Sequence, residues 1–282
     1  MIELPPTMTP ERTRAARELL AFYLEAGVDA ALGETPVNRF ADAAMPRPLA
    51  APQAGLPDAR KPSPIRDEAA AMRPPASAPL SPEAAASAAR EAAGSAATLA
   101  ELRAILSTFE GCALKSTAKQ LVFADGNPNA RVMFVGEAPG REEDLEGLPF
   151  VGRSGQLLDR MMAAIGLDRS LAYIANIIPW RPPGNRTPTP PETLICLPFI
   201  RRQIELVDPD VLVCLGGPSA TTLLDIKEGI TKVRGRWFSY HTGRRDIRAI
   251  ATLHPAYLLR SPLQKRFAWR DFLAIRKALD AG

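Results

Sequence analysis

The sequence predicts a three-layer α/β/α fold around a four-stranded, mainly parallel sheet, and three observations carry that prediction. Four short, mostly apolar runs, Val132–Val135, Tyr173–Ile178, Val211–Leu215 and Ile247–Leu253, have the length of strands buried on both faces. Helical spacing separates or follows them, around Leu157–Ile165, Glu192–Val207, Ser219–Leu224 and Leu263–Leu279. Each run then ends in a loop of unusual composition: GEAPG, PWRPPGNRTP, GGPSA and HPAYLLR in turn. Loops at the carboxyl ends of parallel strands share one edge of the sheet and form one cleft.

Taken from the N-terminus, Pro10–Leu32 has a helical apolar stripe of Ala16, Leu19, Leu20, Tyr23 and Leu24, with Gly33 at its end. It is expected to dock on the main domain or on a protein partner. Residues 46–82 hold ten of the chain's 28 prolines among Ala and Ser, a composition without packing power. Helical spacing resumes over Ser95–Leu106. The expected layout is an N-terminal helical extension at 1–45, a disordered linker at 46–97 and a catalytic domain at 98–282.

Bulk properties narrow the function. A hydrophobic content of 46% suffices for a sizeable core. No apolar run approaches the ~20 residues needed to cross a bilayer, and the N-terminus lacks a basic patch followed by an apolar signal core. A cytoplasmic, nucleoid-associated monomer without a membrane partner is the expectation. The net charge of +4 is uneven, since the last 52 residues carry 12 basic and 3 acidic side chains. Such a basic C-terminal region suits a phosphate-rich partner. Cys112, Cys196 and Cys214 form no CxxC pair and read as free thiols in a reducing compartment.

The loops carry the candidate chemistry. Asn176 places a carboxamide inside the strand run Tyr173–Ile178, where it must find hydrogen bonds. Its donor and acceptor match the O4 and N3–H edge of uracil, and the flipped amide matches cytosine equally. His254 closes the fourth run, and Pro255 holds it extended; as a donor it could stabilise a departing base anion. Phe150, set among Gly147, Pro149 and Gly152, suits stacking on a base. Glu137 or Glu143 could orient an attacking water. GEAPG is not GxGxxG and no GxxxxGK[ST] is present, which disfavours dinucleotide binding and nucleotide triphosphate hydrolysis.

Together GEAPGREEDLEGLPFVGRSGQLLD, ANIIPWRPPGNRTP, LGGPSA and HPAYLLR, in this order, resemble the family-four uracil-DNA glycosylases over residues 105–280. The resemblance implies removal of uracil from single- or double-stranded DNA, leaving an abasic site for base excision repair. It implies catalytic roles for Glu137, Glu143 and His254, and a uracil pocket of Gly136, Ala138, Phe150, Asn176 and Asn185. DNA contacts are implied for Arg186, Ser219, Tyr257, Leu258 and Arg260, with Tyr257 or Leu258 as the wedge in the base stack.

The family holds a [4Fe–4S] cluster on four cysteines, whereas here only Cys112 and Cys196 stand at matching positions. Phe109 and Trp180 replace the other two, so the expectation is no metal and no cofactor, with the aromatics filling the cluster's place. Two relatives in function remain as alternatives: a glycosylase of broader range, and a binder that captures uracil-DNA covalently. Against the second, such binders carry GEQPG and a basic insertion ending in His, where this chain has Ala138 and the short Ser261-Pro262-Leu263.

Overall fold

The computed structural model describes residues 81–281. The expected helix at Pro10–Leu32 and most of the expected linker lie outside the described residues. Two helices open the described chain, α1 (Pro82–Ser95) and α2 (Leu99–Thr108). Strands β1 (Asp125–Gly126) and β2 (Val132–Gly136) follow, then α3 (Arg141–Glu146), α4 (Arg153–Ala163) and β3 (Ala172–Asn176). Next come α5 (Pro190–Val207), β4 (Val211–Leu215), α6 (Gly217–Leu224) and α7 (Ile230–Val233). A hairpin of β5 (Trp237–His241) and β6 (Asp246–Thr252) leads to α8 (Pro255–Arg260) and α9 (Lys265–Asp280).

The sheet order is β1-β3-β2-β4-β6-β5. Its central strands β3, β2, β4 and β6 are parallel, as the four apolar runs predict, and β1 and β5 add antiparallel edges. These edges left little trace in the sequence, because β1 has two residues and β5 alternates between exposed and half-buried positions.

Strand alternation divides the core into two layers. Met133, Val135, Leu212 and Cys214 face α1, α2, α5 and α6, while Val132, Phe134, Val211 and Val213 face α4 and α9.

Helix α1 corrects the expected linker boundary at residue 97. Ser81 caps it by accepting from the Ala84 N–H at 3.2 Å, and Pro82 occupies its first turn. Ala85, Ala86, Ala89 and Ala93 are buried against the body of the domain. The proline-rich average over 46–82 hid an alanine run of high helix propensity immediately beyond it. Among the described residues no helix is long and apolar enough to cross a membrane.

Candidate active site

Strand register builds the pocket's floor. Gly136, the last residue of β2, pairs with Asn176, the last of β3. Asn176 is 4% exposed, and its Oδ1 has no hydrogen-bond partner among the described residues. Burying an acceptor this way costs about 1–3 kcal/mol, which a ligand donating an N–H at that point would offset. A Cβ on Gly136 would lie 2.4 Å from Asn176 Oδ1 and 2.6 Å from Phe150 Cζ. Glycine at 136 is therefore what allows amide and ring to meet.

Phe150 has a left-handed backbone, φ 55°, which is strained for a bulky residue. Three residues hold it there, two of them left unassigned by sequence reasoning. Arg169 donates to the carbonyls of Pro149, at 3.1 Å, and Phe150, while pairing with Asp125 and Asp159. Gly155 makes room, since a Cβ there would lie 1.6 Å from the Phe150 carbonyl oxygen. Glu143 accepts from Val151 and Gly152 through Oε1, at 3.1 and 3.0 Å, and from Gly140 through Oε2, at 3.0 Å. Its two oxygens thereby fasten the Gly140 turn to the Phe150 loop.

The Phe150 ring centroid lies 5.6 Å from that of His254, the planes tilted by 32°. His254 caps α8 by accepting from the Ala256 N–H through Nδ1 at 3.1 Å. Burial, with help from the positive charge of Arg260, lowers its pKa to about 4. At neutral pH the imidazole is uncharged, and because Nδ1 accepts, its proton sits on Nε2 as a donor. Glu137, directly after Gly136, is half-buried, and burial raises its pKa above the usual carboxylate value.

Asn176, Phe150 and His254 thus come together from three separate connections, with Gly136 between the amide and the ring. Asn185 does not share their burial: it is exposed, and its Oδ1 accepts from Arg181 Nε at 2.7 Å. Ala138 is half-buried just beyond β2. Arg186 is exposed but already forks onto Glu192 at 2.9 and 2.6 Å, which holds the Glu192 pKa down to about 2.

Two of the residues expected to contact DNA have buried side chains. Ser219 is fully buried, its hydroxyl donating to the Val135 carbonyl at 2.7 Å. Leu258 is 1% exposed in a small cluster with Leu253 and Ala268, so it faces the protein interior and not the base stack. Motif position fixes where a residue falls on α6 or α8 but not which way it points. Tyr257 packs against the same cluster, and Arg260 is exposed.

The two perturbed groups set an expected pH profile. A carboxylate orients water only when ionised, so with Glu137 in that expected role kcat/KM should fall as pH drops through its raised pKa. Glu137→Gln should abolish that limb and lower the plateau. With its pKa lowered to about 4, His254 should be neutral near pH 7 and should contribute no limb near its ordinary 6.5. A limb near 6.5 that disappears in His254→Gln would contradict this assignment.

The family model described as the uracil DNA glycosylase superfamily matches residues 123–273. The chain is 44% identical over 151 residues to the type-4 uracil-DNA glycosylase of Thermotoga maritima, covering 53% of this chain and 77% of that one. It is 40% identical over 168 residues to the type-4 uracil-DNA glycosylase of Archaeoglobus fulgidus, covering 58% and 84%. It is also 39% identical over 175 residues to the corresponding protein of Saccharolobus solfataricus, covering 60% and 81%.

Proposed function

We propose a residue-level mechanism for a chain that belongs to the type-4 uracil-DNA glycosylases of the uracil DNA glycosylase superfamily and is itself a uracil-DNA glycosylase of DNA repair. The observation that carries it is the meeting of an unpartnered buried amide oxygen, an aromatic ring and a neutral imidazole donor at the carboxyl edge of the sheet.

A uracil turned out of the stack lies against Phe150, and its N3–H donates to Asn176 Oδ1. Cytosine has no N3–H, so the buried acceptor would stay unpaired and the base would be rejected. As the C1′–N1 bond breaks, its electron pair moves to the base and spreads over O2 and O4. Nε2–H of His254 donates to O2 and holds that charge. Glu137 orients a water towards the oxocarbenium-like C1′. Its oxygen bonds to C1′, the proton that water loses passes through Glu137 to solvent, the uracil anion takes up a proton from solvent, and uracil and an abasic site are the products.

Incubation with a uracil-containing oligonucleotide, followed by alkali, should release free uracil and cut the strand at the uracil. Thymine- and cytosine-containing controls should remain intact. Cleavage of several other deaminated bases at comparable rates would favour the broader-range alternative. A protein–DNA adduct that survives denaturant, without turnover, would favour covalent capture.

The cluster-binding residues of the family do not fit here. Cys112 and Cys196 bring their sulfurs to 3.8 Å, but Trp180 is 2% exposed in the same core. The Phe109 ring packs edge-on against Phe199 at 5.0 Å and folds over Gly111, where a Cβ would lie 2.4 Å from its Cζ. A cubane normally takes four thiolates; two are available, and aromatic carbon stands where the others would be. We therefore assign this corner as an apolar plug, and no catalytic step depends on iron. Protein purified anaerobically should lack both stoichiometric iron and absorption near 400 nm, and finding both would refute the plug.

Catalysis is assigned to the unit beginning at Ser81. Residues 1–80, with the helix expected at Pro10–Leu32, are assigned to a protein partner. The free thiols suit a reducing cytoplasm.

A further inference from the structure

The end of β6 fixes where His254 stands. Main-chain bonds hold that end from two connections: the Gly216 N–H donates to the Thr252 carbonyl and the Gly235 N–H to the Ala251 carbonyl, each at 2.8 Å. Both glycines have a left-handed backbone, φ 94° and 76°, and both stand against side chains. A Cβ on Gly216 would lie 3.0 Å from His254 Cβ, and one on Gly235 would lie 2.6 Å from Asp271 Oδ1. The imidazole and the Asp271 carboxylate thus press on the two connections that flank the strand end.

Asp271, on α9, is 1% exposed. Its Oδ2 accepts from Thr252 Oγ1 at 2.7 Å and from Arg234 Nε at 2.9 Å, and its Oδ1 accepts from Arg234 Nη2. The same guanidinium donates to the Phe267 carbonyl at 2.9 Å, which locks it to α9. Thr252 is fully buried and is the one polar side chain in the buried run Ala249–Thr252, where a hydroxyl is costly unless bonded. Arg234 already balances the carboxylate's charge, so the hydroxyl adds direction to the pair and not neutrality. Leu253, between Thr252 and His254, packs with Leu258 of α8 and Ala268 of α9. Ala268 and Asp271 lie three residues apart on one face of α9. That helix therefore holds the chain on both sides of His254, by a hydroxyl–carboxylate bond before it and an apolar contact beneath α8 after it.

We propose that Asp271 is a positioning residue for base excision: through Thr252 it fixes the end of β6, and with it the direction in which His254 presents its Nε2–H. The kinetic consequence rests on the glycosylase reading above and deepens it by naming what aims the donor. A donor that acts on charge developing in the transition state depends on its placement, so a strand end free to shift loses rate and not substrate binding.

Removing the carboxylate would leave Arg234 without its counter-charge and endanger the fold, so the test is made at the hydroxyl, in the full-length protein. Thr252→Val keeps the shape of the side chain and should lower kcat on a uracil-containing oligonucleotide by about tenfold or more with KM unchanged. Thr252→Ser, which keeps the hydroxyl, should restore most of that loss. The chain has two histidines, so NMR of the imidazole nitrogens separates them. His254 should show a ring protonated on Nε2 and bare at Nδ1. Thr252→Val should shift that signal or mix in the other tautomer, and should leave the signal of His241 in place. Thr242→Val, which removes a buried hydroxyl bonded to Asp208 away from the site, controls for lost stability and should leave both kcat and the His254 signal unchanged. An unchanged kcat or an unchanged His254 signal in Thr252→Val, or the same losses in Thr242→Val, would reduce Asp271 to a structural ion pair and overturn the proposal. The imidazole signal needs no uracil, so a protein that excised none would refute the glycosylase reading without touching this measurement.

Discussion

His254→Ala should lower kcat on a uracil-containing oligonucleotide by about 10²–10³, while DNA affinity changes by far less. The magnitude follows from where the group acts, because a neutral Nε2–H aimed at developing negative charge works in a shielded site, and removing one such donor typically costs that much. Binding changes less because phosphates, not the base, supply most of the affinity. The substitution also removes the side-chain cap on α8, worth about 1 kcal/mol. His254→Asn, which can keep a capping acceptor but places no donor at the Nε2 position, separates the two effects. Both variants should be similarly slow, and only the alanine should melt earlier. Normal turnover at saturation combined with poor DNA binding would remove His254 from the chemistry.

Gly136→Ala should lower kcat/KM by about 10² or more with a near-native fold. One added methyl at 2.4 Å from Asn176 Oδ1 and 2.6 Å from Phe150 Cζ must displace the amide, the ring or both. Overpacking of this kind costs about 1–3 kcal/mol in stability. A misplacement of about 1 Å costs about 10²-fold in rate. Circular dichroism and melting should therefore change modestly while single-turnover excision collapses. Wild-type excision by Gly136→Ala would mean that amide and ring need not meet, against the geometry of β2 and β3.

The parallel core was legible because its strands are nearly all apolar, and a polar Asn176 within one run or a His254 at the end of another stands out against that background. Phe150 was legible as an isolated aromatic among glycine and proline. What fixes it was not: Arg169 lies 19 residues on, and its bonds to loop carbonyls depend on tertiary approach that no local pattern encodes. Glu143 stands out as a carboxylate beside GEAPG, but its bonds to three backbone N–H groups depend on how the loops fold back, which no local pattern encodes. Ser219 and Leu258 show the same limit from the other side, since each sits in a site motif with its side chain turned inward. Helix α1 escaped because composition was averaged across a boundary, although Ser81 and Pro82 mark its start.

The central claim is that Asn176, Phe150 and His254 close on one extruded uracil. The most direct measurement is a structure of the protein with uracil and abasic DNA. The predicted result places uracil N3 within hydrogen-bond reach of Asn176 Oδ1, O2 at Nε2 of His254, and the base face on the Phe150 ring. Uracil bound elsewhere, or held with its N3 edge away from Asn176, would contradict it.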